Sequence, residues 1–283
     1  MKAGECSLEV HISVYTLDVP EDGGPINSSY YNANNNLKVI THGWISSDKT
    51  EWLQNIRDNY LQTHDYNVIT VDWSEIAANP SYVWPALSTR YVGKRVAKLL
   101  DSIKKTYNVT GRNMHLIGHS LGAQVMGYAG MFSEQPISRV TGLDPARPLF
   151  EFPYMPSSCR LEKSDAEFVD IIHTCGGVYG YRMSHGHADF YPNGGRPAQP
   201  GCDGPRPMIQ GCSHGKACEY YGESIVANRF TAYPCDSYKN FQEGKCKNGS
   251  TKMGDPASPE SRGDYYLHTE DSQENEQNDE NCN

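Results

Sequence analysis

The sequence predicts an α/β protein with a mostly parallel sheet, because short strand-like runs alternate with helix-like segments along its first half. The strand-like runs are residues 37–41, 67–71, 114–117, 139–143 and 168–173. Between Thr89 and Lys105 the apolar residues recur at helical spacing, and residues 121–131 are rich in small and apolar side chains. These two segments are therefore predicted to be crossover helices between parallel strands.

Composition limits the function classes. The 283 residues include 25 Lys and Arg against 34 Asp and Glu, and a net charge of −9 argues against binding nucleic acid. Residues 270–283 contain six acidic residues and no base, so we expect an acidic, disordered tail behind a single domain at 1–269. After His187, Gly, Pro and Cys dominate, and only Cys218–Ala227 is predicted to be helical.

Cysteine content indicates an oxidising compartment. Six of the nine cysteines lie between positions 202 and 282, and N-glycosylation acceptors occur at Asn27, Asn108 and Asn248. No apolar run is long enough to span a bilayer, and the first residues lack the apolar segment of a secretory signal. We therefore expect a secreted protein whose signal is not part of this sequence.

The clearest catalytic motif is Gly118–Gly122, a Gly-His-Ser-Leu-Gly nucleophile elbow. In such an elbow a serine sits on a strained turn between a strand and a helix. Gly211–Gly215 matches the same pattern around Ser213, but no strand precedes it. Ser120 follows an apolar strand and opens a helix, so it is the predicted nucleophile.

A serine nucleophile needs a histidine base and a carboxylate that orients it, and in this arrangement the acid and then the base follow the serine. Asp144 is favoured as the acid because it ends a predicted strand; the alternatives are Asp165 and Asp189. Chain order leaves five histidines as candidate bases: His173, His185, His187, His214 and His268. His214, expected on a loop before the Cys218–Ala227 helix, is favoured among them without being decided.

Six ordered motifs together resemble the secreted pancreatic-type lipase family, and the match extends to about Leu267. The motifs are Thr41–Trp44, Val71–Trp73, Gly118–Ala123, Gly142–Ala146, His187–Gly195 and Cys212–His214. The resemblance implies an α/β-hydrolase fold, a triad of Ser120, Asp144 and His214, and an oxyanion hole formed by the N–H groups of Trp44 and Leu121.

By the same resemblance, Cys202–Cys212 and Cys235–Cys246 are disulfides, and the lid lies between the first pair. That segment, with Met208 and Ile209, has only nine residues and two prolines, so we expect no helical lid. A short lid resembles the phospholipase A1 members of the family more than the triacylglycerol lipases, which are the alternative.

Three further expectations complete the prediction. No cofactor is required, although Glu162 and Asp165 are the candidate ligands for a structural calcium ion. The family's C-terminal β-sandwich is expected to be absent. The partner is a lipid substrate at a membrane, lipid-droplet or lipoprotein surface, with protein partners open; a non-catalytic, yolk-type storage protein is the rival hypothesis.

Overall fold

One eleven-stranded sheet organises the computed structural model, which describes residues 9–12, 15–18, 26 and 28–270. The strands are β1 Glu9–Ile12, β2 Tyr15–Asp18, β3 Leu37–Thr41, β4 Asn67–Asp72, β5 Met114–His119, β6 Arg139–Leu143, β7 Phe168–Ile172, β8 Ala188–Pro192, β9 Thr231–Pro234, β10 Thr251–Lys252 and β11 Gly263–Leu267. Apart from Glu270, the predicted acidic tail lies outside the described residues, and so does the acceptor Asn27.

The sheet is mostly parallel. Its spatial order is β10-β9-β11-β8-β7-β6-β5-β3-β4-β1-β2, and every pairing from β4 through β3, β5, β6, β7 and β8 to β11 is parallel. Antiparallel strands complete the two edges. The predicted α/β architecture is therefore confirmed.

Helices cover both faces of the sheet. They are α1 Glu51–Thr63, α2 Ser74–Ala77, α3 Val83–Tyr107, α4 Leu121–Phe132, α5 Arg206–Val226 and α6 Tyr238–Gln242. Neighbouring strand residues point to opposite sides: Val39 packs in the core under α3 and α4, while Ile40 packs in the core under α1 and α5. Among the described residues, no helix combines the length and apolar character that a membrane crossing requires.

Strands β3 and β6 have the predicted bounds, and β4, β5 and β7 differ by one or two residues at an end. Helix α3 begins six residues before its predicted start. Pro85 is compatible with this start, because it lies in the first turn, where its missing N–H costs no hydrogen bond. It ends where Asn108 adopts a left-handed conformation with φ 53°. The prediction of a helix only at Cys218–Ala227 is wrong, since α5 starts twelve residues earlier.

Three parallel strands end level with one another beside the predicted catalytic residues. Thr41 of β3 pairs with Gly118 of β5, which pairs with Gly142 of β6. The loops that follow these strands therefore meet at the carboxyl edge of the sheet, where α/β folds place ligands.

Candidate active site

Ser120 occupies the strained turn between β5 and α4. Its backbone adopts φ 56° and ψ −120°, a conformation that L-residues rarely adopt and that costs of the order of 1–3 kcal/mol. Two backbone bonds hold it there, because its N–H donates to Leu143 O at 3.0 Å and its carbonyl accepts from Ala146 N at 3.1 Å. The neighbouring loop after β6 thus fixes the turn.

Both glycines of this elbow are required by close backbone contacts. A Cβ at Gly118 would lie 2.2 Å from Gly122 O, and a Cβ at Gly122 would lie 2.5 Å from His42 O. The alternative motif differs at this point, since a Cβ at Gly211 or Gly215 would meet nothing within 4 Å. Only the first motif is a tight turn.

Asp144 lies at the end of β6 and is fully buried. Its Oδ1 accepts hydrogen bonds from Thr174 N at 2.8 Å and Cys175 N at 3.0 Å. A Cβ at Gly180 would lie 2.2 to 2.4 Å from the carboxylate atoms, so this glycine makes room for it. These three supporting residues were missed in the sequence, because their contribution is backbone geometry in a loop without a regular pattern.

His214 is brought to Asp144 across 70 residues of chain. The distance between His214 Nδ1 and Asp144 Oδ2 is 2.6 Å. The histidine lies within α5, where His119 Nε2 bonds to its backbone carbonyl at 3.0 Å and the two rings lie 4.5 Å apart. Burial and the charge of His214 lower the pKa of His119 to about 3, so His119 is a neutral support at pH 7.

Ser120 and His214 line the same cavity, which has a volume of about 450 Å³. Most of its wall is aromatic or apolar: Trp44, Trp52, Tyr82, Ala146, Pro148 and Tyr179. The Tyr179 ring meets the His214 ring edge-on, with centroids 5.7 Å apart. This cavity is chemically suited to a hydrocarbon chain beside the serine.

The predicted oxyanion loop packs directly on the serine turn. A Cβ at Gly43 would lie 2.9 Å from Ser120 Cβ, so the backbone that leads into Trp44 packs against the predicted nucleophile. Two motifs of the sequence support this loop, since His42 Nε2 lies 2.9 Å from Asp72 Oδ1 and Trp73 Nε1 donates to His42 O at 2.9 Å. Leu121 is the first residue of α4, so its N–H has no acceptor within the helix.

Comparison with known proteins agrees with this geometry. The family model Lipase matches residues 15–275. The chain belongs to the lipase family. Pancreatic lipase-related protein 2 of Cavia porcellus is 39% identical over 251 residues, which are 85% of this chain and 56% of that protein. Pancreatic triacylglycerol lipase of Homo sapiens is 35% identical, covering 84% of this chain and 56% of that protein.

Relatives of this lipase-family chain include one described as inactive. Inactive pancreatic lipase-related protein 1 of Homo sapiens is 37% identical, covering 80% of this chain and 52% of that protein. The chain spans about half the length of these curated relatives. A solved α/β hydrolase, MGS-M1 from a deep-sea metagenome, aligns with 64% of this chain and 74% of its own at 14% identity and a TM-score of 0.39, which is too low to add to the assignment.

The sheet topology and the family match together identify the α/β-hydrolase fold predicted from the sequence. The two disulfides implied by the family are also present, joining Cys202 to Cys212 and Cys235 to Cys246. Cys159, Cys175 and Cys218 carry free thiols, while Cys6 and Cys282 lie outside the described residues.

Other candidate acids of this lipase-family chain have other partners. Asp189 lies 2.7 Å from His173 in a separate buried pair, and Asp165 Oδ2 accepts a backbone bond from Glu162 N. Ser213 is fully buried in α5, where its Oγ accepts from Gln199 N at 3.1 Å. These contacts are structural.

The remaining histidines also lie away from Ser120. His185 Nδ1 lies 2.5 Å from an Arg160 guanidinium nitrogen, and His187 Nδ1 accepts from Val169 N. His268 is exposed beside Phe241. Contact with Asp144 therefore distinguishes His214 from every other candidate, which chain order alone did not achieve.

The segment between Cys202 and Cys212 departs from two predictions. It is helical from Arg206 onward, since Pro205 and Pro207 lie at the start of α5, where prolines are tolerated. His214 accordingly lies in a helix and not on a loop. Met208 is 64% exposed, and neither it nor Ile209 lines the catalytic cavity, so this segment leaves the cavity uncovered.

The calcium ligands suggested by the sequence do not fit a cation site. The Arg160 guanidinium lies 2.9 Å from Glu162 Oε2 and already neutralises it. Burial raises the pKa of Asp165 to about 7, which weakens it as a ligand at neutral pH. Within the part of the chain that the structure describes, no group of three or more His, Cys, Asp or Glu side chains is arranged to hold a metal ion.

Proposed function

We propose that this protein is a serine lipase that hydrolyses fatty-acyl esters of lipids through an acyl-enzyme. The observation that carries the proposal is the 2.6 Å contact between His214 and the buried Asp144, combined with a cavity that His214 shares with Ser120. This constellation is the arrangement that serine hydrolases use on several unrelated folds.

In the proposed reaction Ser120 Oγ attacks the ester carbonyl while His214 accepts the serine proton. Asp144 holds the other ring N–H and stabilises the imidazolium that forms. The proton then passes to the leaving alcohol, and water activated by His214 releases the fatty acid and regenerates Ser120.

Charge that develops on the carbonyl oxygen would be stabilised by the N–H groups of Trp44 and Leu121. Removing one such donor typically costs about 3–4 kcal/mol of transition-state stabilisation. The packing of Gly43 on Ser120, and the position of Leu121 at the first turn of α4, support this assignment.

For the substrate we propose a phospholipid, with cleavage of the phospholipase A1 type. The uncovered cavity supports this, because Ser120 is reached without displacing the short segment between Cys202 and Cys212. Trp44 and Tyr179, 37% and 40% exposed, line the cavity and also face the solvent, as contact with a lipid surface requires. Triacylglycerol lipase is the second candidate, favoured by the names of two related proteins.

The proposed place of action is extracellular, which two disulfides support. The test is fatty-acid release by the oxidised protein from phosphatidylcholine and from trioleoylglycerol, with Ser120→Ala as control. Release from phosphatidylcholine alone, absent in the control, is the expected result. Release from trioleoylglycerol alone would favour the second candidate. Failure on both lipids, together with no labelling of Ser120 by a fluorophosphonate, would refute the proposal and favour the storage-protein hypothesis.

A further inference from the structure

A second cavity, of about 560 Å³, carries three arginines: Arg182, Arg196 and Arg206. It adjoins the catalytic cavity along the chain, because Val178 lines the second cavity and Tyr179 lines the catalytic one. No acidic residue lines the second cavity. Its other walls are glycine, amide and apolar groups from residues 176–178, 197–198 and 209–210. The chain has a net charge of −9, but this cavity is positively charged.

These three guanidinium groups make no ion pair among the described residues. Elsewhere in the chain, arginines face carboxylates at short distance: Arg57 with Asp58, Arg139 with Asp170, Arg147 with Glu151, and Arg160 with Glu162. All three cavity arginines are exposed, so their charges act on the solvent. Arg206 is also the first residue of the 21-residue α5, whose N-terminal dipole adds positive potential there.

The cavity is built on the same elements as the catalytic site. Residues 176–178 lead directly into Tyr179, which contacts His214, and Arg206 lies on the helix that carries His214. His214 lies eight positions after Arg206 in α5, a rise of about 12 Å. A group held by the arginines is therefore bound by the same loop and the same helix that supply part of the catalytic cavity.

The walls are held in place by local bonds. Cys175 Sγ donates to Gln210 O at 3.4 Å, and the Cys202–Cys212 disulfide ties α5 to the preceding loop. A larger neighbouring cavity, of about 690 Å³, shares Arg182 and Arg196 but also contains Asp236 and Asp264. Only the smaller cavity is free of carboxylates, which makes it the one suited to an anion.

We propose that the cavity lined by Arg182, Arg196 and Arg206 binds a phosphate group carried by an anionic phospholipid at the surface from which the lipase takes its substrate. Guanidinium groups present planar, paired donors that match phosphate oxygens. The apolar residues Val178 and Ile209 in the same wall suit the adjoining acyl region. The site would orient the protein so that the catalytic cavity opens toward the lipid. This inference rests on the proposed function only for its biological meaning, because binding is measurable without catalysis.

The test uses the full chain with Ser120→Ala, which cannot consume the lipid, and vesicles of phosphatidylcholine with or without phosphatidylglycerol. Replacing all three arginines by glutamine is compared with a matched control of equal charge change, Lys94→Gln, Lys105→Gln and Arg112→Gln. These residues are exposed on α3 and on the turn after it, at the face of the sheet opposite α5. Each guanidinium near an anionic surface contributes about fivefold to the affinity. The cavity variant should therefore bind anionic vesicles on the order of 100-fold more weakly, with little change in its affinity for neutral vesicles. The control variant should lose much less.

Competition by inorganic phosphate, at equal ionic strength, distinguishes binding of a free phosphate ion from binding of a phosphate carried by a lipid. If phosphate displaces the protein from anionic vesicles, the cavity takes the phosphate group itself; if it does not, the lipid-borne phosphate is required, and both results support the site. Equal loss by the cavity and control variants would overturn it. The same arginine changes made with Ser120 intact should leave hydrolysis of a soluble short-chain ester unchanged, which shows that the variant folds. If the chain without any substitution fails to hydrolyse the soluble ester, that result would instead count against the proposed function.

Discussion

Gly180 offers the sharpest test of the catalytic geometry. Its replacement by alanine adds a Cβ 2.2 Å from Asp144 Oδ1, whereas ordinary van der Waals contact begins near 3.4 Å. The loop cannot retreat freely, because Gly180 N donates to Cys175 O and Tyr181 N donates to Pro145 O. Asp144 must therefore move, and its contact with His214 is lost or lengthened.

The expected cost follows from the size of this displacement. A shift of about 1 Å in a catalytic group typically lowers the rate on the order of 100-fold, and complete loss of the oriented carboxylate costs about 10,000-fold. We expect Gly180→Ala to lower kcat on a soluble short-chain ester within this range, with KM changing less than kcat. A soluble ester is chosen so that binding to a lipid surface does not enter the measurement.

Gly211→Ala is the matched control, since it adds the same methyl group within α5 into open space. It should keep activity close to that of the parent. Thermal unfolding of both variants separates loss of fold from loss of alignment. Full activity of a folded Gly180→Ala protein would refute the conclusion that Asp144 must occupy its present position for catalysis.

Three further predictions concern the elbow, the rival serine and acid-dependent stability. Gly118→Ala should prevent folding or abolish activity because its Cβ would overlap Gly122 O, whereas Gly211→Ala should raise the free energy of unfolding by about 0.5–1 kcal/mol, as measured by denaturant titration; equal effects would contradict the assignment of the elbow. Ser213→Ala should keep ester hydrolysis and lose about 1–3 kcal/mol of stability, since Gln199 N loses its buried acceptor. If this variant is no longer labelled by a fluorophosphonate, Ser213 and not Ser120 would be the nucleophile. Burial raises the pKa of Asp165 to about 7 from an unfolded value of about 4, so the stability it contributes is complete below about pH 4 and is lost as pH rises through 7, by at most about 4 kcal/mol. In Asp165→Asn this decline should flatten, and an unchanged pH profile would show that Asp165 is not the group responsible.

Local signals in the sequence predicted most of the central sheet. β3 and β6 have their predicted bounds, because a buried parallel strand needs a short apolar run that ends at a turn. The later strands, β8 to β11, were missed. They lie in the part of the chain after His187 that is rich in Gly, Pro and Cys. They are strands because neighbouring chain segments supply hydrogen bonds, which is a tertiary effect.

For the site, the sequence alone selected Ser120 as the proposed nucleophile. Ser120 lies between a strand and a helix in a motif whose spacing encodes a turn, and such local information is readable in one dimension. The strand end at Asp144 made it the favoured acid for the same reason. The predicted start of α5 is wrong because prolines break a helix in its interior but are compatible with its first turn, where Pro205 and Pro207 lie.

Only the tertiary structure decided which of five histidines faces Asp144, because residues 70 positions apart are brought together by packing and not by pattern. It also decided which Gly-x-Ser-x-Gly motif is a tight turn, through backbone atoms that crowd Gly118 and Gly122 but leave Gly211 and Gly215 open. The sequence specifies the chemistry by residue type and spacing. The fold determines which of those residues meet, since contact at 2.6 Å depends on every element that packs between them.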